Sequence, residues 1–194
     1  MTLKRDIEFI FELGCLRHID RSWKRFLGVD FQNVSEHILR VVFISMIIAK
    51  QERADVDKAI KMALVHDLSE SRTGDVDYLS RQFVKRDDEK AINEVLGDTT
   101  LIDLKRVWED YEKRESIEAK IVKDADNLDV DIELIEQKGK GYSVKAWDEI
   151  RDKIKRNYFT RTAKLIFDEV LKANPHDWHL NASNRFNAGD WKDV

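Results

Sequence analysis

A single cysteine, Cys15, stands in the 194 residues, which leaves no disulfide framework and no thiolate zinc site. Proline is as scarce, at Pro175 alone, and glycine occurs only seven times. So few chain breakers leave long stretches free to be helical. A hydrophobic share of 42% beside a charged share of 37% suits helices with wet, heavily charged outer faces. A basic excess is missing too, and a net charge of -4 argues against a nucleic-acid groove. Long apolar runs are absent: the longest, Val41 to Ala49, is interrupted by Ser45 and is far too short to span a membrane. The first residues, MTLKRDIEF, lack the uninterrupted apolar core of a secretory signal, so the expectation is a cytoplasmic protein without membrane partners. No Gly-rich phosphate loop or Gly-x-Lys-Ser/Thr motif occurs, which removes nucleotide-driven phosphoryl transfer.

What is present is helical periodicity. The expected fold is all-α, a single-domain helical bundle over residues 1–194, with its site-bearing core at about 30–140 and C-terminal helices and tail over 144–194. Leu3, Ile7, Ile10, Phe11 and Leu13 predict a first helix that turns this stripe inward, closed near Gly14. A polar and aromatic connector, Arg17 to Gln32, follows. Asn33 with Glu36 has the form of a capping box, opening a helix that runs to about Gln51. Asp55 caps the next helix. Beyond Gly74 the pattern predicts a helical piece from Asp77 through Phe83 and another over Lys85–Leu96, then a stripe of Leu101, Leu104, Val107, Trp108 and Tyr111. A long acidic helix spans Ser116 to Gln137 along the seam Ile121, Ala125, Leu128, Ile132, Ile135. Two shorter helices cover Val144–Arg156 and Thr160–Ala173, and the tail after Pro175 reads as extended chain.

The chemistry concentrates in Ala59 to Asp75. At ~100° per residue Asp67 points about 180° from Lys58, and His66 about 140° from Lys61. The lysines mark the wet side, so His66, Asp67 and Glu70 face the protein. Two carboxylates and an imidazole turned into a core are costly unless something compensates them, and a bound cation compensates all three. A His-Asp pair alone is weak evidence, and the second one, His176-Asp177, sits in a stretch without helical period and reads as incidental. His37 lies in the inward stripe of Val34, Val41, Ile44 and Ile48, where a lone histidine by itself reads as a hydrogen-bonded core residue. On the long helix the wheel puts Asp129 closer to the apolar seam than Asp124 or Asp126.

Taken in order, His37, then His66-Asp67, then an aspartate of the acidic helix resembles the HD-domain metal-dependent phosphohydrolases. The 5'-deoxynucleotidase-like branch is the nearer likeness. It rests on Arg21 with Trp23, Asn33-Val34-Ser35-Glu36-His37, His66-Asp67-Leu68-Ser69-Glu70, Thr73-Gly74-Asp75 and Val122-Lys123-Asp124-Ala125-Asp126. The resemblance implies metal ligation by His37, His66, Asp67 and Asp126; it is the Lys-Asp-Ala-Asp likeness, not the wheel, that selects Asp126. It further implies that Glu70 holds or protonates the attacking water, that Asp75 reaches the substrate, and that Arg21 binds phosphate with Trp23 beside it.

Two imidazoles and two carboxylates suit one Mn²⁺, Co²⁺, Fe²⁺, Ni²⁺ or Zn²⁺ ion, with Mg²⁺ admissible but less natural. The implied function is removal of phosphate from (deoxy)nucleoside 5'-monophosphates by metal-activated water. Hydrolysis of a larger nucleotide, such as an alarmone or dinucleoside polyphosphate, would want more clustered basic side chains than the connector's Arg17, Arg21, Lys24 and Arg25. A non-catalytic metal-binding sensor or scaffold would not need Glu70. The branch also implies a homodimer, for which the Trp108 and Tyr111 stripe offers an apolar surface, although such a stripe is more often plain core.

Overall fold

Local chemistry starts the helices. Asn33, Asp55, Asp87, Ser116 and Thr160 each accept a hydrogen bond from the backbone N–H three residues on, satisfying a donor that a helix start leaves orphaned. At Asn33 the reciprocal bond from Glu36 completes the capping box. The computed structural model describes residues 3–180. Its helices are α1 (Leu3–Cys15), α2 (Lys24–Leu27), α3 (Val34–Glu52), α4 (Val56–Val65), α5 (Glu70–Thr73), α6 (Asp88–Leu96), α7 (Leu104–Lys113), α8 (Ile117–Gly139), α9 (Lys145–Lys155), α10 (Arg161–Val170) and α11 (Asp177–Leu180). Single 3-10 turns lie at Leu16–His18 and Ser80–Gln82. Among the described residues there is no strand, only an isolated bridge between Asp20 and Asn33. None of these helices is long and apolar enough to cross a membrane.

The long helices α3 and α8 pack along each other, α4 lies against both, α7 joins α4 and α8, and α10 covers the other side of the α3–α8 pair. Val41, Ile48, Met62, Ile121, Leu128 and Phe167 fill the space between them. Each such side chain contributes about 1.5–3 kcal/mol on burial. A second cluster, with Val34, Leu68, Ile92, Leu96 and Trp108, lies at the end where α4 gives way to α5 and α6. His37 lies on α3, Asp126 and Asp129 on α8, and His66 and Asp67 on the turn that follows α4.

Several sequence expectations need correction. In α1 the stripe of Leu3, Ile7, Ile10 and Phe11 faces outward, with Phe11 74% exposed, while Phe9 and Leu16 are buried. The cause is Arg5, whose guanidinium donates to the carbonyls of Glu94, Val95 and Gly97 at the end of α6. Those carbonyls have no partner within their own helix, and satisfying them turns the Arg5–Phe9–Glu12–Leu16 face inward. Helix α4 stops at Val65, so His66 to Ser69 form turns rather than helix. The piece predicted from Asp77 to Phe83 is only a 3-10 turn, because the Asp77 carboxylate takes the N–H groups of Leu79 and Ser80. Helix α6 begins at Asp88 rather than Lys85, since Asp87 is its cap. Trp108 and Tyr111 are buried and form no surface for a second copy. After Pro175 the chain makes the helical turn α11 instead of running on as extended chain; the rest of the predicted tail, 181–194, lies outside the described residues.

Candidate metal centre

Helix α3 carries His37 into the interior with none of its surface exposed. Its Nδ1 lies 2.5 Å from Asp129 Oδ2 of α8. Asp129 is itself fully buried, accepts a further hydrogen bond from Gln32, and has Oδ1 2.6 Å from Arg40 Nε. A carboxylate flanked by these donors fixes the His37 proton on Nδ1 and leaves a lone pair on Nε2. His66, at the end of α4, has Nδ1 2.7 Å from the Ala63 carbonyl oxygen. A carbonyl only accepts, so Nδ1 again carries the proton and Nε2 again presents a lone pair. The two Nε2 atoms face each other at 3.3 Å. Asp67 Oδ2 lies 3.4 Å from the first and 3.3 Å from the second, and Asp126 Oδ1 lies 3.3 Å from His37 Nε2.

Two lone pairs and two carboxylates aimed at one another repel unless a cation or a proton lies between them. Ligands held at ~2.1 Å around a four- or six-coordinate ion stand about 3.0–3.4 Å apart, the spacing these atoms have. Donor atoms of His37, His66 and Asp126 all lie within 4.8 Å of one another. The nitrogen and oxygen donors therefore fit a divalent metal. Without one, His37 itself takes the role: burial and Arg21 oppose its protonation, but its bonds to Asp126, Asp129 and Asp67 lift its pKa well above the usual histidine range. Burial would raise Asp67, yet the neighbouring His66, His37 and Arg21 hold it well below a normal aspartate. Asp126 is likewise held low, by Lys123 and His37 against its burial.

Glu70 opens α5 one turn beyond His66, buried. Burial and the charges of Asp67 and Asp75 push its carboxyl well above the usual range, with Arg21 and Arg86 pulling the other way. Oε1 accepts from Arg86 at 3.1 Å, while Oε2 has no hydrogen-bond partner. Gly74, at φ +71° and ψ 161° where only glycine is comfortable, then turns the chain so that Asp75 comes back over Arg21. Arg21 is buried among carboxylates: its Nη1 is 3.1 Å from Asp75, 3.3 Å from Asp67 and 3.9 Å from Glu70, and Nη2 is 3.9 Å from Asp126. Asp75 is not free to project over an open face, because Oδ2 also accepts from the Ser22 N–H at 3.0 Å. Trp23 is half-buried, its ring edge-on to Trp147 at 4.8 Å.

Of the residues that the family resemblance implies for the site, Arg21, Trp23, His66, Asp67, Glu70, Asp75 and Asp126 line a single cavity of about 710 Å³. His37 stands behind it and contacts Asp67 and Asp126. The choice between Asp126 and Asp129 dissolves, since both touch one imidazole on opposite nitrogens. Sequence reasoning missed Arg86, Arg40, Gln32 and Lys123, whose Nζ lies 2.7 Å from Asp126 Oδ2. It also counted basic groups only on the connector, whereas Arg81, Lys85, Arg86, Arg114 and Lys123 reach the cavity from other segments. Helical spacing from His37 to Arg40 and from Lys123 to Asp126 was a usable signal. Arg86 sits in a loop and gave none.

Comparison with known proteins agrees with this geometry. The chain is 30% identical over 137 residues to the human protein 5'-deoxynucleotidase HDDC2, covering 67% of each. A conserved hypothetical protein from Pyrococcus furiosus superposes with a TM-score of 0.70 at 28% identity, over 86% of this chain and 99% of that one. The cyanophage S-2L HD phosphohydrolase DatZ, bound to dA and one catalytic Zn²⁺ ion, shares the fold with a TM-score of 0.52 at 20% identity, over 84% and 91%. Residues 13–167 match the HD domain, and the chain belongs to that family.

Proposed function

We propose that this protein is a metal-dependent 5'-deoxynucleotidase that removes phosphate from deoxynucleoside 5'-monophosphates by attack of water. The observation that carries the reading is the facing pair of imidazole lone pairs at 3.3 Å, with Asp67 and Asp126 beside them. The activity named for the human relative supports the substrate class. His37, His66, Asp67 and Asp126 are the proposed ligands of one ion, Mn²⁺, Co²⁺, Fe²⁺, Ni²⁺ or Zn²⁺, with Mg²⁺ less suited to nitrogen donors. Such an ion, when bound, acidifies water and offsets charge on a phosphoryl group.

The chain's own residues do the rest. Glu70, with a raised carboxyl pKa and one oxygen unpartnered, is suited to take a proton from the attacking water or return one to the leaving group. Arg21 is the proposed phosphate-binding group: its Nε has no hydrogen-bond partner, and neutralisation of Asp67 and Asp126 by a bound cation would release its N–H groups toward an oxyanion. Asp75, which holds Arg21 and lines the cavity beside it, is the proposed sugar-side group, placed to disfavour an added 2'-hydroxyl. Trp23 walls the same cavity. We read residues 1–194 as one HD domain with a core at about 30–140 and a C-terminal part at 144–194. We place the protein in the cytoplasm, in keeping with its free Cys15, and read it as a homodimer, supported by the exposed α3 stripe Leu39, Phe43 and Ile47.

The test is phosphate release from deoxyribo- and ribonucleoside 5'-monophosphates, 3'-monophosphates and dinucleoside polyphosphates, with Mn²⁺ or Co²⁺ added. Release confined to deoxyribonucleoside 5'-monophosphates is expected. Equal turnover of ribonucleotides would remove the sugar argument, and no release from any of them would remove the enzyme.

A further inference from the structure

The cavity is lined both by the carboxylates around Arg21 and by aromatic rings, and two chain segments that contribute Arg21 and Asp75 also contribute a group of those rings. Running outward, the first segment passes from Arg21 through Ser22 to Trp23 and Phe26, and the second from Asp75 to Tyr78 and then Phe83. Phe26 and Tyr78 stack at 5.3 Å with 27° between their planes. The segments are laced together along their length. Asp75 accepts from the Ser22 N–H, Arg25 Nη1 donates to Asp77 Oδ2 at 3.0 Å and to Ser80 Oγ at 2.7 Å, and Asp77 pins the N–H groups of Leu79 and Ser80. The aromatic wall is therefore fixed before any ligand arrives. Yet Tyr78 is 59% exposed and Phe83, also lining the cavity, is 81% exposed. A held pair of rings with open apolar area beside a phosphate-handling cluster calls for a flat apolar group on the same ligand.

We propose that Phe26, Tyr78 and Phe83 form a stacking platform for the nucleobase, one that recognises the presence of a base and not its identity. This rests on the nucleotidase reading above and assigns the part of the cavity which that reading leaves open. The order along the two segments matches the order of a nucleotide: phosphate by Arg21, sugar by Asp75, base beyond them at Tyr78. Every base has a π-face, so stacking tolerates all of them. Reading base edges requires buried polar groups that are left unpaired by the wrong base. Of the polar side chains next to this wall, Arg81, Gln82 and Lys85 are exposed, and the buried Asp77 is committed to Arg25, Leu79 and Ser80, so these do not impose that penalty.

The test compares kcat/KM for the four deoxyribonucleoside 5'-monophosphates with that for 2-deoxyribose 5-phosphate, which lacks the base. The unaltered protein is expected to favour each nucleotide over the sugar phosphate, by similar factors for purines and pyrimidines. Tyr78→Ala and Phe83→Ala should each reduce that preference, together by roughly ten-fold or more, and Tyr78→Phe should retain it. Calorimetric binding of deoxyadenosine and thymidine to the unaltered protein and to Tyr78→Ala reads the platform without hydrolysis, with weaker binding expected in the variant. An unaltered protein that turns over the sugar phosphate as well as the nucleotides, or nucleoside binding untouched by both alanine variants, overturns the platform and leaves the phosphatase standing. Loss of nucleoside binding in Tyr78→Ala from a protein that hydrolyses none of the substrates would uphold the platform and overturn the nucleotidase reading instead. A preference for one base of ten-fold or more would overturn the claim of base indifference.

Discussion

Replacing Asp129 by asparagine should weaken metal binding without touching a ligand. The Asp129 carboxylate accepts from His37 Nδ1 at 2.5 Å and from Gln32, and its other oxygen lies 2.6 Å from Arg40 Nε. An asparagine amide has one accepting oxygen and one donating NH₂ group. If the oxygen faces His37, the NH₂ group meets the Arg40 guanidinium, donor against donor. If the NH₂ group faces His37, Nδ1 must accept, the ring proton moves to Nε2, and the Nε2 lone pair available to the metal is lost. Losing the carboxylate behind a ligating histidine costs about 10–100-fold in metal affinity, or about 1.4–2.7 kcal/mol. Stability should fall as well. Breaking a fully buried pair costs about 3–5 kcal/mol. Arg40 is partly exposed and keeps Glu133 at 2.6 Å and Glu136 at 2.9 Å, so about 1–2 kcal/mol is the expected loss. Asp126→Asn, by contrast, should abolish metal retention outright. Titration of Mn²⁺ into both metal-stripped variants, with thermal melts in parallel, measures these effects. Normal Mn²⁺ affinity in Asp126→Asn together with none in Asp129→Asn would exchange the two roles and refute the reasoning.

Other expected outcomes follow from the same contacts. His66→Ala or Asp67→Ala should lose metal, by elemental analysis, and activity while far-UV helicity stays near that of the unaltered protein; metal content unchanged in both would place the site elsewhere. Arg86→Gln removes the cation 3.1 Å from Glu70 Oε1, so the Glu70 carboxyl should titrate at still higher pH. The limb of the kcat–pH profile that reports Glu70 should then move upward, and an unmoved profile would separate Arg86 from Glu70. Phe11→Ser, on the outward face of α1, should change stability by about 0.5 kcal/mol or less, whereas Phe9→Ala should cost about 3–5 kcal/mol. Chemical denaturation showing the reverse would restore the sequence-based orientation of α1.

The helices and the inward direction of His37, His66 and Asp67 were legible because burial of a helix face leaves a 3.6-residue record, and caps are written in one or two residues. Where one long-range polar contact decides, that record fails. Helix α1 offers two faces, the apolar Leu3–Ile7–Ile10–Phe11 stripe and the Arg5–Phe9–Glu12–Leu16 face, and the choice lies with carbonyls about ninety residues away that Arg5 satisfies. The two aspartates of α8 show the same limit from another side. A wheel ranks them by depth, and the deeper one, Asp129, is buried because it stands behind His37, while Asp126 is shallower because it faces the cavity. Depth is thus a poor guide to ligation: among the proposed ligands His37 is fully enclosed, while Asp126 is open to the cavity. Arg86, Tyr78 and Phe83 are harder still, since they lie in loop and turn, where no period exists and position is set by Asp77 and Asp88. The proposed metal ligands come from elements with a period. The groups proposed to meet sugar and base come largely from the 75–86 segment, which has none.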